Sequence, residues 1–284
     1  LPARAAFCFR LAPMRRGNDV RIATFNANSL RARMEAVTAW LARHQPDILC
    51  IQETKVQDAE FPLEAIRAAG YHATFRGEKS YNGVAILSRD EPDEVRFGFD
   101  DGGPADETRL VWARFGALNI VNTYVPQGRE LDHPMFAYKL EWFGRLRAYF
   151  ERHFTPRRQV LWLGDMNVAP EPIDIHNPEK QAMDVCFHES IRRAYWETVG
   201  WGFADVYRRF HPEAGRYTFF DYRVVNSLQR NMGWRVDHLL ATDPLLKTAT
   251  DAWIDLEPRG GARPSDHTPL VGEFDAGQRV SQTR

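Results

Sequence analysis

Lysine is scarce in this chain: of its 37 basic residues only Lys55, Lys79, Lys139, Lys180 and Lys247 are lysines, and the rest are arginines. Arginine suits forked contacts to phosphate or carboxylate, although genomic base composition would give the same bias. Cysteine is scarcer still. Cys8, Cys50 and Cys186 show neither pairing nor metal-ligand spacing, which excludes a disulfide-stapled scaffold and a cysteine-zinc site and points to a reducing cytoplasm. Charge of one sign is absent as well, since 37 basic residues against 38 acidic ones leave a formal net charge of −1. A global polycation that coats nucleic acid is excluded, so any DNA-binding surface must be local and the opposite face acidic. No apolar run approaches the roughly 18–20 residues that span a bilayer. The first 19 residues begin with Leu1 and carry no acid before Asp19. They read as an upstream extension or expression remnant, with Met14 as a natural start, in preference to a transit peptide.

What is present is ample core material: 44% of 284 residues are hydrophobic. No linker or low-complexity stretch divides the chain, so residues 20–275 are read as a single domain and 276–284 as a tail. Alternation and turn signals predict strands at 21–26, 47–52, 71–75, 83–88, 110–115, 118–124, 160–163, 217–220, 235–241, 252–256 and 270–274. Helical spacing marks 31–44, 62–69, 133–153 and 188–199. Strands interleaved with few helices give an α/β layer architecture, and the pattern does not choose between a sandwich and a doubly wound sheet.

Polar clusters recur at the ends of these apolar strands: Thr24 to Asn28, Ile51 to Lys55, Asn122 to Pro126, Leu163 to Asn167, Trp234 to His238 and Pro264 to His267. Any one of them has a bland reading, because a carboxylate or amide after a strand commonly caps a turn or a helix. Two amides, a Glu, several Asp, a Tyr and a His at six strand ends exceed turn chemistry. Hard oxygen donors with few histidines and no thiolates suit Mg²⁺, with Mn²⁺ as a substitute. Phosphodiester hydrolysis requires such parts, for charge neutralisation, an activated water and help to the leaving oxygen.

The segments FNANSLRAR, IQETK, NTYVPQG, GDMN, YTFFDYR, GWRVDHLLA and PSDHTPL, in this order, closely resemble the exonuclease III family of apurinic/apyrimidinic endonucleases, within the endonuclease/exonuclease/phosphatase superfamily. The resemblance implies a four-layer αββα sandwich (DNase I-like) with the site at one edge of the two sheets. It also implies a Mg²⁺-dependent DNA repair nuclease acting on abasic sites and 3′ ends of duplex DNA. Glu53 matches the principal metal-binding carboxylate and Asn26 the amide beside it. Asn28 stands where some relatives carry Asp, which weakens it as a ligand. Asp165 matches the group that deprotonates the attacking water, and Asn167 the amide that orients water and phosphate. His267 matches the histidine on the scissile phosphate, Asp237 the carboxylate that orients it, and Tyr124 a phenol reaching the phosphate. The metal set carried over is Asn26, Glu53, Asp165, Asn167, Asp266 and His267.

Phe219 and Trp234 match the walls of a pocket for an extruded abasic nucleotide, with Val236 nearby; core packing is the competing role. Arg129 and Arg223 match DNA-gripping loop positions, with solvated surface arginine as the alternative. His176 follows GDMN in a Pro-rich loop where its ring would crowd an abasic sugar and favour 3′ trimming. The expected protein is a monomer in the cytoplasm without membrane contact. The competing functions are a superfamily phosphodiesterase of small phosphorylated substrates, disfavoured by YTFFDYR and GWRVDH, and a silent nucleic-acid-binding relative, disfavoured by the intact catalytic set.

Overall fold

A computed structural model describes residues 19–275; the expectations for residues 1–18 and 276–284 lie outside the described residues. The first half of the chain runs β1 (Asp19–Asn26), α1 (Met34–His44), β2 (Ile48–Gln52), α2 (Leu63–Ala68), β3 (His72–Arg76), β4 (Val84–Ser88), β5 (Glu94–Phe97), β6 (Leu110–Phe115) and β7 (Leu118–Tyr124). The second half runs α3 (Pro134–His153), β8 (Gln159–Asp165), α4 (Glu189–Val199), β9 (Phe203–Asp205), α5 (Val206–Phe210), β10 (Asp237–Thr242), α6 (Asp243–Leu246), β11 (Ala249–Ile254) and β12 (Leu270–Asp275). One six-stranded sheet has the order β11-β12-β1-β2-β4-β3 and the other β5-β6-β7-β8-β10-β9. β1 runs parallel to β2, and β7 to β8, with α1 and α3 as the crossovers; the other pairings are antiparallel.

Alternation along the strands builds the layers, because successive side chains leave opposite faces of a sheet. In β1 and β2, Ile22, Ile48 and Cys50 point to the second sheet, where they meet Ile120, Leu161, Leu163 and Leu239. Their neighbours Ala23, Phe25, Leu49 and Ile51 point outward beneath Val37, Trp40 and Leu41 of α1 and Ile66 of α2. On the second sheet Trp112, Val121, Trp162 and Leu240 face Trp142, Phe143, Leu146 and Phe150 of α3 and Ile191 and Tyr195 of α4. The order of layers is therefore helices, sheet, sheet, helices. The αββα sandwich implied by the motifs is the fold. Helix ends follow local chemistry: Gln45 takes a left-handed φ of 45° and closes α1 onto Leu41 O, while the His133 ring accepts from Met135 N with Pro134 in the first turn of α3.

One expected strand is corrected. Residues 217–220 form no ladder, and Phe219 makes only isolated bridges to Trp234 and His267. Tyr217 and Phe220 are buried there, which supplied the apolar signal. The short elements β5, β9, α5 and α6 were not anticipated; β5 is a polar edge strand and the others span three to five residues. Among the described residues no helix is long and apolar enough to cross a membrane.

Candidate active site

The same alternation that fills the core delivers the polar set. Asn26 and Gln52 end β1 and β2 side by side, Tyr124 ends β7 beside Asp165 at the end of β8, and Asp237 opens antiparallel β10 directly across from Asp165. Each stands two or four residues beyond an inward-facing apolar side chain, so all project into the space between the sheets at one end of the sandwich.

Asp165 is the hub. Its Oδ1 accepts from Asn167 N at 2.9 Å, and its Oδ2 accepts from Asn26 Nδ2 at 2.8 Å and Asn167 Nδ2 at 3.3 Å. Asn26 Nδ2 also donates to Glu53 Oε1 at 2.8 Å, so one amide bridges the two carboxylates. His267 Nδ1 lies 2.8 Å from Asp237 Oδ2, and its Nε2 stands 3.8 Å from Asp165 Oδ2. Asp237 is held in turn by its backbone N–H, which donates to Thr218 Oγ1 at 3.2 Å.

Burial decides the protonation states. Desolvation opposes the His267 imidazolium, but Asp237 and Asp165 outweigh it and raise its pKa to about 10. Burial, with Asp237 and Glu53 adding to it and His267 opposing, raises the Asp165 carboxyl. Burial would raise Glu53 too, yet the hydrogen bonds from Asn26 and Lys55 outweigh it and keep its pKa below the usual value. Tyr124 is held well above the ordinary phenol range by burial and by the charge of Glu53 and Asp165.

Left-handed backbone recurs among the site residues: φ is 44° at Asn28, 51° at Glu53, 50° at Lys55 and 50° at Asn167. Non-glycine residues seldom adopt this conformation, and its concentration here re-aims side chains sharply at strand ends. Gly164 has a structural need of its own. Its φ is +133°, and a Cβ would stand 2.0 Å from Thr123 O, so only glycine lets β8 run this close to β7 before Asp165.

Glu53, Tyr124, Asp165, Asn167, Asp266 and His267 line one cavity of about 350 Å³, and Phe219, Trp234 and Val236 form its apolar wall. Phe219 lies 4.9 Å from the His267 ring between centroids. Arg223 reaches this rim but forks onto Asp221, with Nη2 2.7 Å from Oδ2. Arg129 does not line the cavity: it is exposed, and its backbone N–H donates to Gln127 Oε1 at 2.7 Å. His176 also stands outside the lining, with its Nδ1 3.2 Å from Gly233 O and its ring edge-on to Trp234 at 6.4 Å. It therefore stands against Trp234, outside the lining of this cavity.

The sequence matches the Endonuclease/Exonuclease/phosphatase family over residues 23–267. It is 33% identical to exodeoxyribonuclease III of Haemophilus influenzae over 90% of this chain and 100% of that one. The chain belongs to this family, in its exonuclease III branch. Among solved structures, an AP endonuclease from Archaeoglobus fulgidus superposes with a TM-score of 0.88 at 49% identity, covering 90% of this chain and 99% of that one. A 3′ phosphatase from Neisseria, bound to a product DNA hairpin, superposes with a TM-score of 0.85 at 37% identity, covering 90% and 99%.

In this exonuclease III-type site the donor set fits a hard divalent cation. The carboxylates of Glu53, Asp165, Asp237 and Asp266 outnumber the cations His267 and Lys55 that face them, and Asp237 Oδ1 is buried without a hydrogen-bond partner. Oxygen donors in negative excess are what Mg²⁺ or Mn²⁺ requires. The expected ligands are placed as follows. Asn26 Oδ1 accepts from Asn28 N at 2.9 Å while its Nδ2 bridges the Glu53 and Asp165 carboxylates. His267 brings a ring nitrogen within 4.8 Å of carboxylate oxygens of Asp165 and Asp237, a grouping that could hold a metal ion.

Sequence reasoning missed several contributors. Lys55 Nζ sits 2.7 Å from Glu53 Oε2 and also meets Asn28 Oδ1; its place two residues after Glu53 in IQETK was the available signal. Gln52 Nε2 donates to Thr24 Oγ1 and Asn122 Oδ1 at 2.9 and 2.7 Å, tying the two sheets together beneath the site. Ser265 Oγ donates to Asn26 O at 2.7 Å, locking the His267 turn onto β1. Arg109 lies 4.8 Å from the Tyr124 ring centroid and donates to Tyr124 O.

Proposed function

We propose that this chain is a magnesium-dependent DNA repair nuclease, with Mn²⁺ as substitute, that hydrolyses phosphodiester bonds at abasic sites and 3′ ends of duplex DNA, including 3′-phosphate removal. The observation that carries it is the Asp165–His267–Asp237 arrangement: a carboxylate and a histidinium 3.8 Å apart across the cavity, with the histidinium oriented from behind. Asp165 takes the proton of the attacking water, and the Asn167 amide holds that water and a phosphate oxygen in place. The His267 Nε2–H donates to a non-bridging oxygen as negative charge builds there, and Asp237 fixes the ring that does so. Tyr124, kept protonated, donates its phenol proton to a phosphate or leaving oxygen. A divalent cation held by Glu53 and Asp266, with Asp165 beside them, would supply charge neutralisation at the phosphate.

Phe219, Trp234 and Val236 receive an extruded sugar. A cavity of about 350 Å³ lies at the small end of the range for ligand sites, and a missing base lowers the cost of extrusion. Arg223 acts on the duplex from the rim after exchanging Asp221 for a phosphate, and Arg129 from the exposed loop after β7, outside the cavity lining.

Asp165→Asn tests the assignment of the base. Turnover should fall by about 10²–10⁴-fold, while duplex affinity in EDTA stays within about threefold of the parent. Full residual activity would mean that another group deprotonates the water.

A further inference from the structure

One charged group beside the cavity plays no part in the chemistry above. Lys139, in the second turn of α3, is 0% exposed, although a lysine is almost never fully buried without partners. It lies on the inward face of the helix with Phe136, Trp142 and Phe143. Its Nζ lies 3.0 Å from Gln127 O, 2.7 Å from Asn167 O and 2.8 Å from Val185 O. Three carbonyls match the three donors of an ammonium, although burial lowers the pKa of this amine against the opposing pull of Cys186, Asp165 and Asp184. The neighbouring Cys186 Sγ is 3.9 Å away, and burial pushes that thiol up to about 12, so it is a neutral neighbour.

The three carbonyls belong to separate stretches of chain: the loop after β7, the turn after β8 and the irregular segment before α4. Each contributes to the cavity wall, through Gln127, Asn167, and Asp184 with Cys186. The Asn167 residue is pinned on both sides, its N–H by Asp165 Oδ1 at 2.9 Å and its C=O by Lys139. The loop after β7 passes close over both Phe136 and the lysine stem, since a Cβ at Gly128 would stand 3.2 Å from Phe136 Cδ2 and 3.3 Å from Lys139 Cδ. An apolar residue at 139 would fill the volume and leave three carbonyls without that donor.

We propose that Lys139 is a positioning residue: its ammonium fastens three separate segments into one wall and thereby fixes the Asn167 amide against Asp165. The inference rests on the hydrolytic reading above. Without the clamp the left-handed Asn167 turn, φ 50°, is free to relax, and a displacement of about 1 Å in a catalytic arrangement costs on the order of 100-fold in rate.

The test uses the full chain with Lys139→Met, Lys139→Gln and Lys139→Arg, assayed with Mg²⁺ on an abasic duplex well below each variant's melting temperature. The expected result is a kcat lowered by about 100-fold in the Met and Gln variants, a KM within about threefold of wild type, and partial recovery of kcat in the Arg variant. A lysine that merely stabilises the fold would leave kcat untouched at such temperatures. Folded Met or Gln variants with kcat within about threefold of wild type overturn the proposal. If neither folds, Lys139→Arg decides: a folded Arg variant with kcat lowered by about tenfold at an unchanged KM supports the clamp, and one with kcat within about threefold of wild type overturns it. A wild-type chain that cuts no DNA overturns the hydrolytic reading, and this inference with it.

Discussion

At the scale of residues, two carboxylates flank the His267 ring at unequal distances and both favour its charged form. Asp237 holds Nδ1 at 2.8 Å and keeps the ring charged, while Asp165 waits 3.8 Å from Nε2, too far to consume that proton. Asp237 and His267 should therefore act as one unit. Asp237→Asn and His267→Asn should each lower kcat by about 10²–10³-fold, and the double variant should lose little more than the worse single one. Fully additive losses would mean that the carboxylate acts apart from the ring. These residues were legible in the sequence because each ends a strand in a distinctive motif. Lys139 was not, since a lone lysine on an amphipathic helix reads as a solvent-facing charge, and only the folded chain brings three carbonyls to its tip. Asn26 was legible by position, while the direction of its amide depends on which carboxylates the fold places beside it.

At the scale of elements, Arg235 fastens the approach to β10 and thus both Trp234 and Asp237. Its Nε lies 2.7 Å from Asp174 Oδ1 and its Nη1 2.7 Å from Asp205 Oδ2, with Arg208 also on Asp174. Burial disfavours both carboxylates, but Arg235 outweighs it and holds each below the usual carboxylate range. A carboxyl whose folded pKa is depressed contributes stability that is present above its unfolded pKa and lost as pH falls toward the folded one. The stability this cluster supplies should accordingly be undiminished near neutrality, where both carboxyls are ionised folded or unfolded, and be lost below about pH 4, with a drop in melting temperature there. Arg235→Gln strands two buried carboxylates and should cost roughly 3–5 kcal/mol at pH 7, with a melting temperature that rises on mild acidification as the stranded carboxyls take up protons. A variant as stable as its parent at every pH would contradict the role given to this cluster. The long strands and helices were readable because alternation and 3.6-residue periodicity accumulate over their length. Residues 217–220 show the limit: aromatic burial gave strand-like composition, and backbone pairing went instead to Trp234 and His267 singly.

At the scale of the whole molecule, the two ends of the sandwich carry different cavities. Arg33 and Arg259 bond to the backbone of Pro264 and Ser265 beside the active-site turn. At the other end, a cavity of about 510 Å³ between the sheets is bordered by Asp47, Asp90, Glu91, Asp93 and Asp275, and among the described residues no lysine or arginine lines it. On the proposed function, DNA meets the end of the sandwich where the strand-end carboxylates converge, with Arg33 and Arg259 beside it. The decisive measurement is cleavage of a duplex bearing one abasic analogue, beside an intact duplex with a recessed 3′ end, in EDTA and after Mg²⁺ is restored. The expected result is no product in EDTA, and with Mg²⁺ both incision at the abasic position and shortening of the 3′ end. Cleavage that persists unchanged in EDTA, or neither duplex cut with Mg²⁺ present, would contradict it.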